Sequence, residues 1–471
     1  MILPTHNRAI DPAMRGLAAH LLPPLLFVVL VWMLVPFGDV FTFDPDEGNN
    51  LMKARLVADG HGLYSEIWSD QPPLFTHMLR AWMPLVGWTV AGGRVLVLLC
   101  SGVLVWAFYQ TVRISAGHFG AIVASLLLVT SFGYTRLSVS VMLAVPSLMF
   151  AMLGVYGLVR HRTTGGDGWL AMSGVCLSLS VFVKMWTLVL AVILIGALLR
   201  RRRSLLWWGV PFASVSLIML LAAVPLDEMG QLVRPHLDVR GAADFTPHLR
   251  GFVGHFVEDL LVVVPAVIGA GLVLFRRRWI GLIPVAWAAL AMVVLLRHEP
   301  LWYHHYLLVS IPLCWCAAFV AAEVASMRRG LKPAVAFVAV TCFALHLPAV
   351  YERDVAAWTD RDQTADEAIV EAMSVYADQT NFLMTDRQIL AFRAGLRVPP
   401  PLAVTSLKRR WSGQLGDDEL IRMLDTWAPE QIFLSGRRLP VTETLLGYLG
   451  PRYRLMHVDP RGGALLLRND L

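Results

Sequence analysis

The chain is short of charge. Asp, Glu, Lys and Arg make up 16% of its 471 residues, where soluble domains carry about 25%. With 56% of the residues hydrophobic, that excludes a cytosolic enzyme and a disordered protein alike. Cysteine is scarce too. The five cysteines (Cys100, Cys176, Cys314, Cys316, Cys342) all lie inside apolar runs, so the polar segments hold no disulfide framework and no Cys-x-x-Cys metal site. The strict alternation of polar and apolar residues that marks an outer-membrane barrel is also missing. No cleavable leader is expected. The first apolar run, Leu17 to Val35, is too long for a signal core and reads as a retained span.

What the sequence has in abundance is apolar runs, with a mean hydropathy of +0.60. A membrane helix needs roughly 17 to 25 mostly apolar residues, and such runs start at Leu17, Val95, Phe119, Leu137, Leu205, Leu260, Trp279, Leu307 and Ala334. The stretch from Trp169 to Leu199 is too long for one span and carries Lys184 in its middle. Short cytoplasmic loops concentrate Lys and Arg. The basic clusters are Arg8/Arg15, Arg113, Arg160/Arg162, Arg200 to Arg203, Arg276 to Arg278 and Arg328/Arg329/Lys332. They share one side only if two crossings separate Arg162 from Arg200. Two short helices meeting near Lys184 at the outer face are therefore expected. The result is a polytopic α-helical protein of the cytoplasmic (inner) membrane with about eleven transmembrane helices, its N-terminus cytoplasmic and its C-terminus outside. The inner arginines account for the pI of about 9.2, so no nucleic-acid partner is implied.

Three polar regions then face the exterior: residues 41–93, 225–255 and 351–471. The division is a membrane domain over residues 1–350 and an extracytoplasmic α/β domain over 351–471. In the latter, Phe382 to Thr385 and Ile432 to Ser435 read as short buried strands. Asp362 to Gln379 and Asp417 to Thr426 read as helices, and Tyr453 to Arg468 as a terminal hairpin. The cluster Lys408-Arg409-Arg410-Trp411 in this tail could touch anionic head groups or a sugar acceptor, but a solvated basic surface is the expectation. No inverted repeat of the transporter kind is visible.

The first outer loop concentrates the chemistry. It contains Asp44-Pro-Asp46-Glu47-Gly-Asn-Asn and, further on, Asp70-Gln71-Pro72-Pro73-Leu74. Carboxylates held near a bilayer and near one another can have raised pKa values, which suits a general base that deprotonates an acceptor hydroxyl or amine. Taken alone, acidic residues in such a loop are more often a solvated turn. Here the Asp46-Glu47 pair is followed by Leu51-Met-Lys-Ala-Arg-Leu-Val-Ala, Gly60, Tyr64, the Pro72-Pro73 pair and Arg94 at the mouth of the second span. In these elements the chain resembles the GT-C fold glycosyltransferases, in the branch of the protein O-mannosyltransferases and lipid A aminoarabinose transferases. Those enzymes carry an Asp-Glu pair after the first span, an amphipathic juxtamembrane helix, a Pro-Pro-Leu element and an arginine opening the second span. The resemblance extends to Tyr303-His-His-Tyr-Leu-Leu-Val-Ser-Ile-Pro312.

The resemblance implies an inverting membrane glycosyltransferase. It would move a sugar from a polyprenyl-phosphate donor to an acceptor (glycolipid, polysaccharide or protein) on the outer face of the membrane. Asp46 would take the acceptor proton, Glu47 would orient it or bind the acceptor, and Asp44 is the second candidate base. The donor phosphate calls for cationic partners, and ionisable residues within or at the ends of spans are candidates by default. Lys184 comes first. Arg94, Arg136 and Arg297 stand at outer ends of spans against the positive-inside bias, and Arg94 also matches the family's position. His304 and His305, beside Tyr303, could bind phosphate or stack on sugar. Two departures stand out. Where the family often has a lysine before Pro-Pro-Leu, this chain has Gln71 after Asp70, so a cation is replaced by an anion and another cation must compensate or the head group differs. The segment Val141-Met-Leu-Ala-Val-Pro-Ser147 also lacks a carboxylate that many relatives carry there.

No metal or other cofactor is expected, although a divalent ion is the alternative. Adjacent side chains such as His304 and His305 diverge by about 100° on a helix, and a lipid monophosphate offers Asp44-Pro-Asp46 no pyrophosphate to bridge. The rivals to an enzyme are a transporter or flippase of lipid-linked sugar, and a non-catalytic accessory protein that binds one. The first would want charges at mid-span and repeat symmetry.

Overall fold

The computed structural model describes residues 12–241, 244–277, 279–327, 332–436 and 438–471. Arg8, Arg278, Arg328 and Arg329 of the basic clusters lie outside the described residues. After α1 (Pro12–Leu34), the first long loop holds α2 (Asp46–Ala58) and α3 (Leu74–Val86). The apolar helices that follow are α4 (Val90–Thr130), α5 (Ala144–Thr164), α6 (Asp167–Val183), α7 (Leu188–Leu198) and α8 (Arg202–Ala223). Then come α9 (Thr246–Glu258), α10 (Leu260–Arg276), α11 (Trp279–Leu295), α12 (Leu307–Ser326) and α13 (Lys332–Tyr351). Leu104, Phe108, Leu148, Leu177 and Trp315 are buried between α4, α5, α6 and α12. On α8, by contrast, Leu206, Val210, Ile218 and Leu221 are exposed, the mark of a face that meets lipid rather than water.

Among the described residues, four helices are long and apolar enough to cross a membrane, and a fifth span results if α9 and α10, bent by 80°, count as one. Four shorter apolar helices accompany them. The two runs at Val95 and Phe119 form one continuous helical stretch, α4, interrupted at Gly117 (φ 77°, ψ 176°). Tyr109 Oη lies 3.1 Å from His118 Nδ1, a pair that a straight helix would place about 13 Å apart at 1.5 Å per residue. The chain therefore reverses at Gly117, where a positive φ suits only glycine. The span expected from Leu137 starts later, at Ala144, because the turns before it offer their backbone to the first loop. The break at Lys184 is present: its extended backbone (φ −155°, ψ 121°) ends α6 ahead of α7.

The tail builds α14 (Thr364–Ser374), β1 (Leu383–Thr385), α15 (Gln388–Arg393), α16 (Leu407–Trp411), α17 (Asp417–Trp427), β2 (Gln431–Leu434), β3 (Tyr453–Val458) and β4 (Ala464–Arg468). The sheet order is β1-β2-β4-β3. β1 runs parallel to β2, with Met384 opposite Ile432, and the other neighbours are antiparallel. β1 and β2 are buried along their whole length, which explains why they read as unbroken apolar runs.

The tail sits directly on the loop between α1 and α4. A Cβ at Gly48 of α2 would lie 2.2 Å from the backbone nitrogen of Ile389, so α2 and α15 touch backbone to backbone. Arg393 donates to the carbonyls of Val40 (3.0 Å) and Phe41 (2.9 Å). Arg397 pairs with Asp59 at 2.6 Å, and Trp68 Nε1 donates to Gln414 at 3.1 Å. Gly48→Ala must push the two helices apart, at a cost of about 1–3 kcal/mol. A lowered thermal midpoint of the purified protein is the expected outcome, while Gly196→Ala, whose Cβ would meet nothing within 4 Å, does not lower it. Equal midpoints for the two variants would contradict the backbone contact.

A cavity between the first outer loop and the tail

Asp46 and Glu47 open α2, where the positive end of the helix favours carboxylates. Being adjacent, they point about 100° apart, and their fates differ. Glu47 turns inward to Arg94. Arg94 Nε donates to Oε1 at 3.0 Å and Nη2 to Oε2 at 2.8 Å, and both side chains are fully buried. The remaining capacity is filled. Arg94 Nη1 donates to the carbonyls of Phe37 and Val40, while Glu47 accepts the N–H of Phe43 at 2.8 Å and of Val141 at 3.0 Å. Burial pushes the Glu47 carboxyl up, but the charge and hydrogen bonds of Arg94 prevail and hold it below its usual value. Neither residue lines the cavity. Arg94, expected beside the donor phosphate, instead ties α1's exit and the Val141 turn to α4.

The cavity has a volume of about 420 Å³ and brings together Asp44, Asp46, Asp70, Gln71, Lys184, Tyr303, His304 and His305. Asp44 is buried. Its Oδ1 accepts the N–H of Asp46 at 2.8 Å and its Oδ2 the hydroxyl of Tyr303 at 2.9 Å. Burial and the charge of Asp46 push its carboxyl up to about 6, against the pull of Arg136 and these hydrogen bonds. Arg136 stands behind this group rather than in the cavity wall. It lies 3.8 Å from Asp44 Oδ2, donates to the carbonyl of Phe43, and stacks on Tyr303 and Trp358. Asp46 is half-buried. Its Oδ1 accepts from Asn49 Nδ2 at 3.0 Å and from Arg438 at 3.3 Å, and its second oxygen has no such partner among the described residues. Arg297 is exposed and lies outside the lining.

At the other end Asp70 Oδ2 lies 3.4 Å from Lys408 and 3.9 Å from His236. Burial would raise the Asp70 carboxyl, but Lys408, His236 and Lys53 outweigh it and hold the group at about 2. Lys408 Nζ is 3.0 Å from His236 Nδ1. An ammonium can only donate, so Nδ1 accepts and Nε2–H donates to the Asp70 carbonyl at 3.2 Å. Lys184 places its ammonium 4.0 Å over the ring of Trp186, whose edge also meets His304 and His305. His305 Nδ1 accepts the N–H of Trp302 at 3.2 Å. Among the described residues no group of three or more His, Cys, Asp or Glu could hold a metal ion.

Sequence reasoning did not single out Lys53, Trp186, His236, His298 or Arg438, all of which line the cavity, as does Lys408 of the basic cluster. The basic cluster expected to be solvated splits three ways. Lys408 faces the cavity, Arg409 is buried under it with its guanidinium 4.7 Å over Trp68, and Arg410 caps the carbonyl of Arg438 at 3.3 Å. Only Lys53 left a local signal, a lysine inside the apolar stretch Leu51-Met-Lys-Ala.

A model of the dolichyl-phosphate-mannose-protein mannosyltransferase family matches residues 70–226. Among solved structures, the chain is similar to ArnT from Cupriavidus metallidurans bound to undecaprenyl phosphate, with 13% identity and a TM-score of 0.66 over 95% of this chain and 98% of that one. It is also similar to the archaeal oligosaccharyltransferase AglB from Archaeoglobus fulgidus in complex with an inhibitory peptide and a dolichol-phosphate. There the identity is 11% and the TM-score 0.56, over 97% of this chain and 74% of that one. No curated protein matches the chain by sequence. The chain has the GT-C fold. Its likeness is to membrane glycosyltransferases of the protein mannosyltransferase and ArnT branch.

Two outcomes follow from this geometry. Tyr303 stabilises the ionised form of Asp44, so Tyr303→Phe raises that pKa further. If turnover needs Asp44 ionised, kcat/KM falls below pH of about 6, and Tyr303→Phe moves this acid limb to higher pH; an unmoved limb would contradict the link. Arg94→Met leaves Glu47 charged and buried without a partner, at a cost of about 3–5 kcal/mol. It is expected to cut thermal stability sharply, and a variant as stable as the parent would remove the ion pair from its structural role.

Proposed function

We propose that this protein is a glycosyltransferase of the inner membrane that takes a sugar from a polyprenyl-phosphate donor and passes it to an acceptor on the outer face. The membrane part is residues 1–350 and the outer domain residues 351–471. The observation that carries this is a single cavity lined by both carboxylates (Asp44, Asp46, Asp70) and lysines (Lys53, Lys184, Lys408). A sugar phosphate needs both. An acceptor must lose a proton where it attacks, and the departing phosphate gains charge that cations stabilise.

Asp46 is the favoured base, because both oxygens of Asp44 are engaged while Asp46 keeps one oxygen without a hydrogen-bond partner among the described residues. In the proposed step the acceptor hydroxyl gives its proton to that oxygen. Its own oxygen forms the new bond to the anomeric carbon, and the bond from that carbon to the phosphate oxygen breaks with its electron pair staying on the phosphate. Attack opposite the leaving group inverts the anomeric carbon. Asp44 and Tyr303 position Asp46 through its backbone N–H. Lys184 and its neighbours take up the phosphate charge, and no metal enters this scheme.

The resemblance and the solved structures that hold undecaprenyl phosphate or dolichol-phosphate support a lipid-linked donor here. The test uses purified protein in nanodiscs with a panel of radiolabelled polyprenyl-phosphate sugars. Asp46→Asn should lower transfer by about 100- to 10,000-fold, the usual share of a general base, with donor binding retained. Transfer at the parent's rate would overturn the assignment of the base.

A further inference from the structure

Three lysines reach the cavity from three parts of the chain: Lys53 from α2, Lys184 from the break after α6, and Lys408 from the tail. Their surroundings differ. Lys53 is buried, with its ammonium 3.4 Å from Ser69 Oγ. Lys408 is held by Asp70 at 3.4 Å and His236 at 3.0 Å. Lys184 has neither a carboxylate nor a hydrogen-bond acceptor among the described residues, only the face of Trp186. Among single charges Lys408 acts most strongly on Lys184, and repels it, while Asp46, Asp70 and Asp44 attract it from farther off than a hydrogen bond. Two ammonium groups facing one cavity destabilise each other, and an anion with several acceptor oxygens relieves both at once.

We infer that the tail takes a direct part in binding the donor: Lys408 and Lys184 together hold the lipid-linked phosphate, and Asp70 keeps Lys408 in position and gives it up to that phosphate. The inference rests on the proposed donor and goes beyond it by assigning a donor contact to the outer domain. It also accounts for the sequence departure at Asp70-Gln71. The cation missing before Pro72-Pro73 arrives from the tail, carried on α16 and held over the loop by Asp70 and His236. The seating of the tail and the binding of the donor are then linked. A phosphate that draws Lys408 also draws α16, and with it Arg409 and Trp68, toward the membrane helices.

The experiment measures binding of radiolabelled undecaprenyl phosphate, without a sugar, to the full-length protein in nanodiscs. Lys408→Gln and Lys184→Gln should each weaken binding about ten-fold, equal to about 1.4 kcal/mol, with thermal midpoints close to the parent's. Lys408→Arg should restore binding and Asp70→Asn should tighten it. Millimolar inorganic phosphate should not displace the lipid. Parental affinity in Lys408→Gln alongside weakened binding in Lys184→Gln would overturn the role of the tail alone. Displacement by inorganic phosphate would overturn the assignment to a lipid phosphate. A parent protein that binds no undecaprenyl phosphate would overturn the proposed donor, and this inference with it.

Discussion

The rest of the structure depends on the buried pair between Glu47 and Arg94. Two opposite charges in a fully buried setting are tolerable only when nearly every donor and acceptor is used. Here the two side chains also satisfy four backbone groups, from Phe37, Val40, Phe43 and Val141. The pair therefore fixes two stretches of irregular chain, Phe37 to Phe43 and the turn at Val141, against one membrane helix. Everything in the cavity that comes from the first loop inherits its position from this point: Asp44 precedes Glu47 by three residues, and Asp46 by one. A rigid anchor at the start of α2 lets one carboxylate stay buried with a raised pKa while its neighbour faces the cavity.

The second constraint is the contact at Gly48. Backbone-to-backbone packing of α2 on α15 brings the tail close enough for Arg438 to reach Asp46 and for Lys408 to reach Asp70. The cavity is accordingly a joint product of membrane helices, first loop and tail. Its carboxylates belong to the loop, its aromatic wall to the segment around Trp302 to His305 and to Trp186, and its lysines to the loop, the break at Lys184 and the tail.

Much of this was legible in the sequence, and the limits have physical causes. The strands around Met384 and Ile432 showed as apolar runs because both faces are covered, and the break at Lys184 followed from the placement of arginines. The reversal between the Val95 and Phe119 runs was legible from the two apolar runs and Arg113 between them, but not the residue at which it happens, since one glycine does not announce a positive φ. The Asp46-Glu47 motif marked the right place, but a motif records residue type and spacing, not direction. Adjacent helical positions diverge, and Glu47 points to Arg94 while Asp46 points to the cavity. Lys408 stood in a basic cluster that the sequence marked as able to meet an anion, but its direction was out of reach. Its partners Asp70 and His236 lie in separate loops far back in the chain, and nothing local distinguishes a lysine drawn into such a site from one on a solvated helix.

The most direct test of the account follows the fate of the donor. The parent protein is supplied with a polyprenyl-phosphate sugar and an envelope extract as acceptor, and the lipid product and the anomeric configuration of the transferred sugar are both determined. The account predicts one polyprenyl monophosphate released for each sugar transferred, with the configuration inverted. Donor that crosses the membrane intact, or a sugar transferred with its configuration retained, would contradict it.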